Sequence, residues 1–163
     1  MATAAYTFAV SEFTPRTRTL PALTVVDAFT REALAIDVDQ GIKGEQVVAA
    51  MTRITSVRGA PRTIREDNGP EFISKALDRW AYDNGVTLDF SRPGKPTDNA
   101  LVESCNGRLR DECLNAHWFL SLADARTKVE VWRRDYNESR PHTALGWLTP
   151  AEYAAVAAAK AAV

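Results

Sequence analysis

The feature that most constrains this chain is the order of its hydrophobic periods. Two β-branched runs, "LTVVDAFT" (23–30) and "ALAIDVD" (33–39), are separated by two residues and alternate like partners of a hairpin. Val47, Val48, Met51, Ile54 and Val57 then recur at helical spacing, closed by Gly59. "RTIRED" (62–67) is short and strand-like. Phe72, Ile73, Ala76, Leu77 and Trp80 line a second helix ending near Gly85, and "VTLDF" (86–90) is another strand. Everything beyond the loop "SRPGKPTDN" (91–99) is helical in pattern. Strands followed by alternating helix and strand, then helices, predict a mixed α/β domain: a central sheet covered by helices, with extra helices at the C-terminal end.

Within that helical part, Leu101, Val102, Cys105 and Leu109 mark one helix, and Ser121 caps another whose apolar stripe is Ala125, Val129, Trp132 and Tyr136. Thr149, Pro150 and Glu152 make a capping box with Pro at the first helical position, opening an Ala-rich helix. Trp80 and Trp132 fall on apolar stripes and are expected in the core. Trp147, just before a cap, is placed to pack as a hydrophobic staple. Residues 1–19 have no firm period, although "YTFAV" (6–10) is compatible with a weak strand. Three segments are expected: 1–19, a core over 20–153, and a helix end over 154–163.

Cys105 and Cys113, eight residues apart on one helix, would be separated by about 12 Å. That is too far for a disulfide and the wrong spacing for zinc, so both read as small core side chains. No apolar run reaches the roughly 18 residues of a membrane span. With no signal-peptide layout either, the chain is expected in the cytoplasm. A net charge of −1 argues weakly against a nucleic-acid partner, but the local distribution is uneven. Arg92, Lys95, Arg108 and Arg110 bracket one segment, and Arg126, Lys128, Arg133, Arg134 and Arg140 stud another.

Asp67 is the conspicuous acid, because it stands where a buried strand gives way to an Asn-Gly turn. Counting residues 68 to 102, 35 residues separate it from Glu103. On the helix that carries Glu103, the residues Asn106, Gly107 and Arg110 follow at i+3, i+4 and i+7 and share its face. A charge-paired wet face is the ordinary use of such a stripe. An acid, an amide, a glycine and an arginine together also suit phosphate chemistry, with carboxylates holding Mg²⁺ and the guanidinium meeting a phosphate.

The segments "TVVDAFTRE" (24–32), "IREDNGPEF" (64–72), "PGKPTDNALVESCNGRLRDECLN" (93–115) and "WRRDYNESRPHTALGWLTPAEY" (132–153) closely resemble the catalytic domain of bacterial insertion-sequence transposases of the retroviral-integrase type. The resemblance implies an RNase H-like fold and an Asp-Asp-Glu triad. It implies Asp67 and Glu103 as catalytic residues and ligands of Mg²⁺ or Mn²⁺, with carboxylates about 4–8 Å apart around a metal pair. Arg110, Arg108, Lys95, Asn99 and Asn106 would contact DNA, the partners being element ends and target DNA. A homo-oligomer is implied for the working assembly.

One element of that pattern is missing. The first Asp of the triad belongs on "YTFAVSEF" (6–13), which contains none, and Ala9 occupies its place. Glu12 lies on the opposite strand face, and Asp27 belongs to the second strand of the family, not to the metal. Little strand transfer is therefore expected, and a catalytically inactive remnant that only binds DNA or pairs with related subunits is the alternative. His142 reads as a hydrogen-bonding loop residue.

Overall fold

The structure, a computed structural model, describes residues 5–13, 19–66, 73–90 and 99–162. Five strands form one sheet: β1 (Ala5–Phe13), β2 (Leu20–Asp27), β3 (Ala33–Val38), β4 (Thr63–Glu66) and β5 (Thr87–Phe90). Their order is β3-β2-β1-β4-β5. The first three strands pair antiparallel, whereas β1–β4 and β4–β5 are parallel. The helices are α1 (Gly44–Arg58), α2 (Lys75–Asn84), α3 (Ala100–Leu109), α4 (Leu122–Ser139) and α5 (Pro150–Ala161). This is the mixed α/β architecture expected from the order of periods, in the RNase H-like form that the family resemblance implies, and the N-terminal run is its central strand.

Alternation along β1 divides the core in two. Tyr6 and Phe8 face a cluster with Val47, Met51 and Leu77 of α1 and α2. Ala9 faces the other cluster, with Val102, Cys105 and Leu109 of α3 and Val129, Trp132 and Tyr136 of α4. Both cysteines are buried and free. No helix among the described residues is long and apolar enough to cross a membrane.

Helix ends follow the expected chemistry. The Ser74, Ser121 and Thr149 hydroxyls accept from backbone N–H groups three residues on, and Thr149 with Glu152 completes a capping box. Three apolar expectations fail. Val57, 84% exposed, sits on the last turn of α1, beyond the reach of the sheet. Ile73 precedes the Ser74 cap and is exposed. Trp147 is exposed as well, so it is no staple. The helix expected to run on past Leu109 instead widens into a π-helical turn, Arg110–Leu114.

The β2–β3 connection is tied down by charge. Asp27 Oδ1 accepts from the N–H groups of Phe29 (2.8 Å) and Thr30 (3.2 Å). Glu32 is buried and receives Arg58 through two hydrogen bonds of 2.7 and 2.6 Å, with the Thr30 hydroxyl donating at 2.9 Å. Removing the cation strands a buried carboxylate, which typically costs about 3–5 kcal/mol. Arg58 is partly exposed, so Arg58→Met is expected to lose about 3 kcal/mol, the lower end of that range. Urea unfolding measures this, and a loss below about 1 kcal/mol would refute the pair's role.

Candidate active site

β1 is central, and α3 crosses the face of the sheet that Ala9 occupies. A cavity of about 200 Å³ opens there, lined by Ala9, Val10, Ser11, Asn99, Glu103, Asn106 and Arg110. Helical spacing explains the α3 side: Asn99 precedes its first turn, and Glu103, Asn106 and Arg110 follow on one stripe. The Glu103 N–H bonds the Asn99 carbonyl at 3.0 Å, fixing the carboxylate one turn into the helix.

Four candidates from the sequence thus converge: Glu103, Asn106, Arg110 and Asn99. Asp67 and Lys95 lie outside the described residues. Arg108 stands apart from the cavity, on the side of α3 that carries Cys105, and its charge acts on Cys105, Tyr136 and His142. The second basic cluster is neutralised within the fold. Arg133 and Arg134 pair with Glu130, Lys128 with Asp124, Arg126 with Asp39, and Arg140 with Glu112 and Asp135. Periodicity along one helix does not disclose such pairs when the acid comes from another element.

Asn106 is buried, because β2 runs beneath it. The Thr24 hydroxyl donates to Asn106 Oδ1 at 2.6 Å, inside the protein. That bond fixes which way the amide points, with Nδ2 as its donor end. Thr24 is also the residue of β2 directly opposite Ala9. Sequence reasoning missed Thr24, a hydroxyl between Ala22 and Val26 on the face that meets α3; its signal was that alternation.

The two possible substitutes for a missing acid do not reach the cavity. Asp27 is committed to the β2–β3 turn. Glu12 is exposed and, three residues from Ala9, points away from it. Behind the cavity, at the end of β4, Glu66 is completely buried on the α2 side of the sheet. Burial, with the charge of Asp78 adding to it, raises its carboxyl to about 8, so it is largely protonated at neutral pH.

No group of three or more His, Cys, Asp or Glu stands together among the described residues. The cavity does hold two hard oxygen donors on successive turns: the Glu103 carboxylate and Asn99 Oδ1, a buried atom that accepts no hydrogen bond from the described residues. An unsatisfied buried carbonyl costs about 1–3 kcal/mol, a penalty that a cation or a donor relieves. Oxygen donors of this kind fit Mg²⁺ or Mn²⁺ rather than a softer metal.

Comparison with known proteins gives a consistent answer. The integrase core domain family matches residues 7–96 and, in a second segment, 84–150. An uncharacterized 31.7 kDa protein of insertion element IS407 from Burkholderia multivorans is 57% identical over 138 residues, covering 85% of this chain and 50% of that protein. A 39.2 kDa protein of insertion element IS476 from Xanthomonas euvesicatoria is 51% identical over 138 residues, covering 85% of this chain and 40% of that protein. The chain therefore spans half or less of the length of these relatives. The catalytic core domain of HTLV-2 integrase in complex with magnesium has the same fold, with a TM-score of 0.72 at 18% identity over 93% of this chain and 95% of that one.

Proposed function

The chain belongs to the integrase core domain family, and from that premise we propose that it is the catalytic core of an insertion-sequence transposase, acting on DNA ends by metal-dependent phosphoryl transfer and impaired by alanine at position 9. The observation that carries this reading is the convergence of Glu103, Asn99, Asn106 and Arg110 on one cavity against the central strand.

In this reading Arg110 grips a phosphate at the cavity mouth, where no carboxylate among the described residues pairs with its guanidinium. Asn106, held by Thr24, presents its amide to whatever occupies the space beside Ala9. Glu103 and Asn99, with Asp67, would hold Mg²⁺ or Mn²⁺. When bound, the metal activates the attacking oxygen and stabilises the departing one. Water would attack phosphorus at an element end and release a 3′-hydroxyl. That hydroxyl would then attack a target phosphodiester, one P–O bond forming as another breaks. Partners would be the element ends, target DNA and further copies of the chain.

Glu103→Gln is expected to abolish metal-dependent cleavage and strand transfer on pre-cut element ends, with the circular dichroism spectrum unchanged. Undiminished cleavage by that variant would remove Glu103 from the site. Arg110→Ala is expected to weaken DNA binding similarly for all sequences and to reduce the salt slope by about 1. A slope that stays at the parent value would show that Arg110 contacts no phosphate. The second reading, a catalytically inactive DNA-binding or dimerising module, is favoured by Ala9 itself; retained DNA binding without cleavage in either Mg²⁺ or Mn²⁺ identifies it.

A further inference from the structure

Among the described residues only two that are not glycine adopt positive φ: Arg31 (65°) and Trp147 (66°). Both are large, and a left-handed backbone is costly for a bulky side chain. Both are neighbours of His142. The Trp147 N–H bonds the His142 carbonyl at 3.0 Å, and the charge of Arg31 acts on the His142 ring together with those of Arg108 and Arg140. Strained conformations persist where surrounding structure imposes them, and they cluster at functional sites.

The surroundings of Trp147 are rigid. His142 and Leu148 form an isolated bridge that closes the loop. Beneath it the His142 ring meets Tyr136 edge-on at 5.2 Å, and Leu145 is buried. The hairpin turn that carries Arg31 is fastened to the same region, since Phe29 and Tyr153 meet edge-on at 5.5 Å. Yet the indole itself is 72% exposed, so packing does not explain its conformation.

The charges around it are equally one-sided. Arg140 is spent on Glu112 and Asp135, but among the described residues Arg31 and Arg108 take part in no ion pair. The nearby acids are committed: Glu32 to Arg58, and Glu152 to the Thr149 N–H. An exposed indole on a loop closed by the His142–Leu148 bridge, in the region where the charges of Arg31 and Arg108 act on His142, complements an unpaired base and its phosphates, because stacking tolerates any base and arginine favours phosphate.

We propose that Trp147, Arg31 and Arg108 form a second nucleic-acid site, separate from the Glu103 cavity, in which Trp147 stacks on an unpaired base and the two arginines hold the phosphates of the same strand. This rests on the DNA-binding reading above and gives it a single-stranded component.

The test is equilibrium binding of the full chain to a labelled single-stranded oligothymidine and to a blunt duplex, each at two salt concentrations. Trp147→Ala is expected to weaken single-strand binding about tenfold, with duplex binding changed less than about twofold. Trp147→Phe should retain most of the affinity. The Arg31→Ala, Arg108→Ala double variant should weaken single-strand binding and flatten its salt dependence. Trp147→Gly, which relieves the backbone, should keep or raise Tm; a marked fall would give the indole a structural task and overturn the proposal. If Arg110→Ala weakens DNA binding while the Trp147 and arginine variants leave it unchanged, the second site is refuted and the catalytic reading stands. Loss of self-association in Trp147→Ala, at unchanged DNA affinity, would assign the patch to protein contact and likewise overturn it. Absence of all DNA binding by the parent chain would refute both.

Discussion

Replacing Ala9 by Asp is expected to raise strand transfer on pre-cut element ends at least about a hundredfold. The site as it stands offers the Glu103 carboxylate and, in the proposed reading, Asp67, where a metal pair brings four positive charges. Mg²⁺ keeps much of its water and relies on carboxylates and substrate phosphates to fix its octahedron. A missing ligand therefore displaces the nucleophile, and about 1 Å of displacement costs about a hundredfold. The fold is prepared to receive the new side chain. Position 9 lies on the central strand, on the cavity face, opposite Thr24. The Thr24 hydroxyl holds Asn106 Oδ1, so Nδ2 is the donor that an added carboxylate would meet. Adding Thr24→Val to Ala9→Asp should forfeit part of the gain, because the Asn106 amide is then free to turn. Ala9→Asn, which adds oxygen without charge, should gain little. An Ala9→Asp variant that folds normally, binds Mn²⁺ no better than the parent by electron paramagnetic resonance and shows no new activity would sink this account.

Removing the carboxyl of Glu66 should change how stability depends on pH. In the unfolded chain this group titrates near 4.5, and in the fold at about 8. The folded state thus holds the proton more tightly. Below pH 4.5 both states are protonated and nothing is lost. Between 4.5 and 8 the unfolded chain ionises while the folded one resists, so stability falls as pH rises, by up to about 1.4 kcal/mol per pH unit for a single group. Above 8 the loss is complete and amounts to a few kcal/mol. Glu66→Gln keeps the shape and removes the titration, so its unfolding midpoint in urea should vary far less between pH 5 and 9. Parallel pH profiles for the two proteins would show that Glu66 ionises freely in the fold.

What could be read from the sequence was whatever a single element determines. The caps at Ser121 and Thr149, the stripe from Ala125 to Tyr136, and the alternation of the early strands all follow from local spacing. What could not be read depends on distant partners. Asn106 looked like part of a wet face because Thr24, which buries and orients it, lies 82 residues away. The arginines of α4, with Arg140 just past its end, read as a local basic cluster, although Asp39 and Glu112, from elsewhere in the chain, share in neutralising them. Trp147 followed a reliable local rule and broke it, because its backbone turns left-handed and carries the ring outward.

The position of β1 has a kinetic consequence. Its antiparallel partner β2 is the next strand along the chain and can zip up early, whereas its parallel partner β4 starts at Thr63, after β3 and α1. Until β4 arrives, β1 presents an open row of amide and carbonyl groups lined with Tyr6 and Phe8, an edge ready to capture another chain. Parallel closure across so long a loop is intrinsically slow. Refolding should therefore show a slow, concentration-sensitive phase, and the Glu103 cavity, which needs α3 seated on a finished β1, should be among the last features to form.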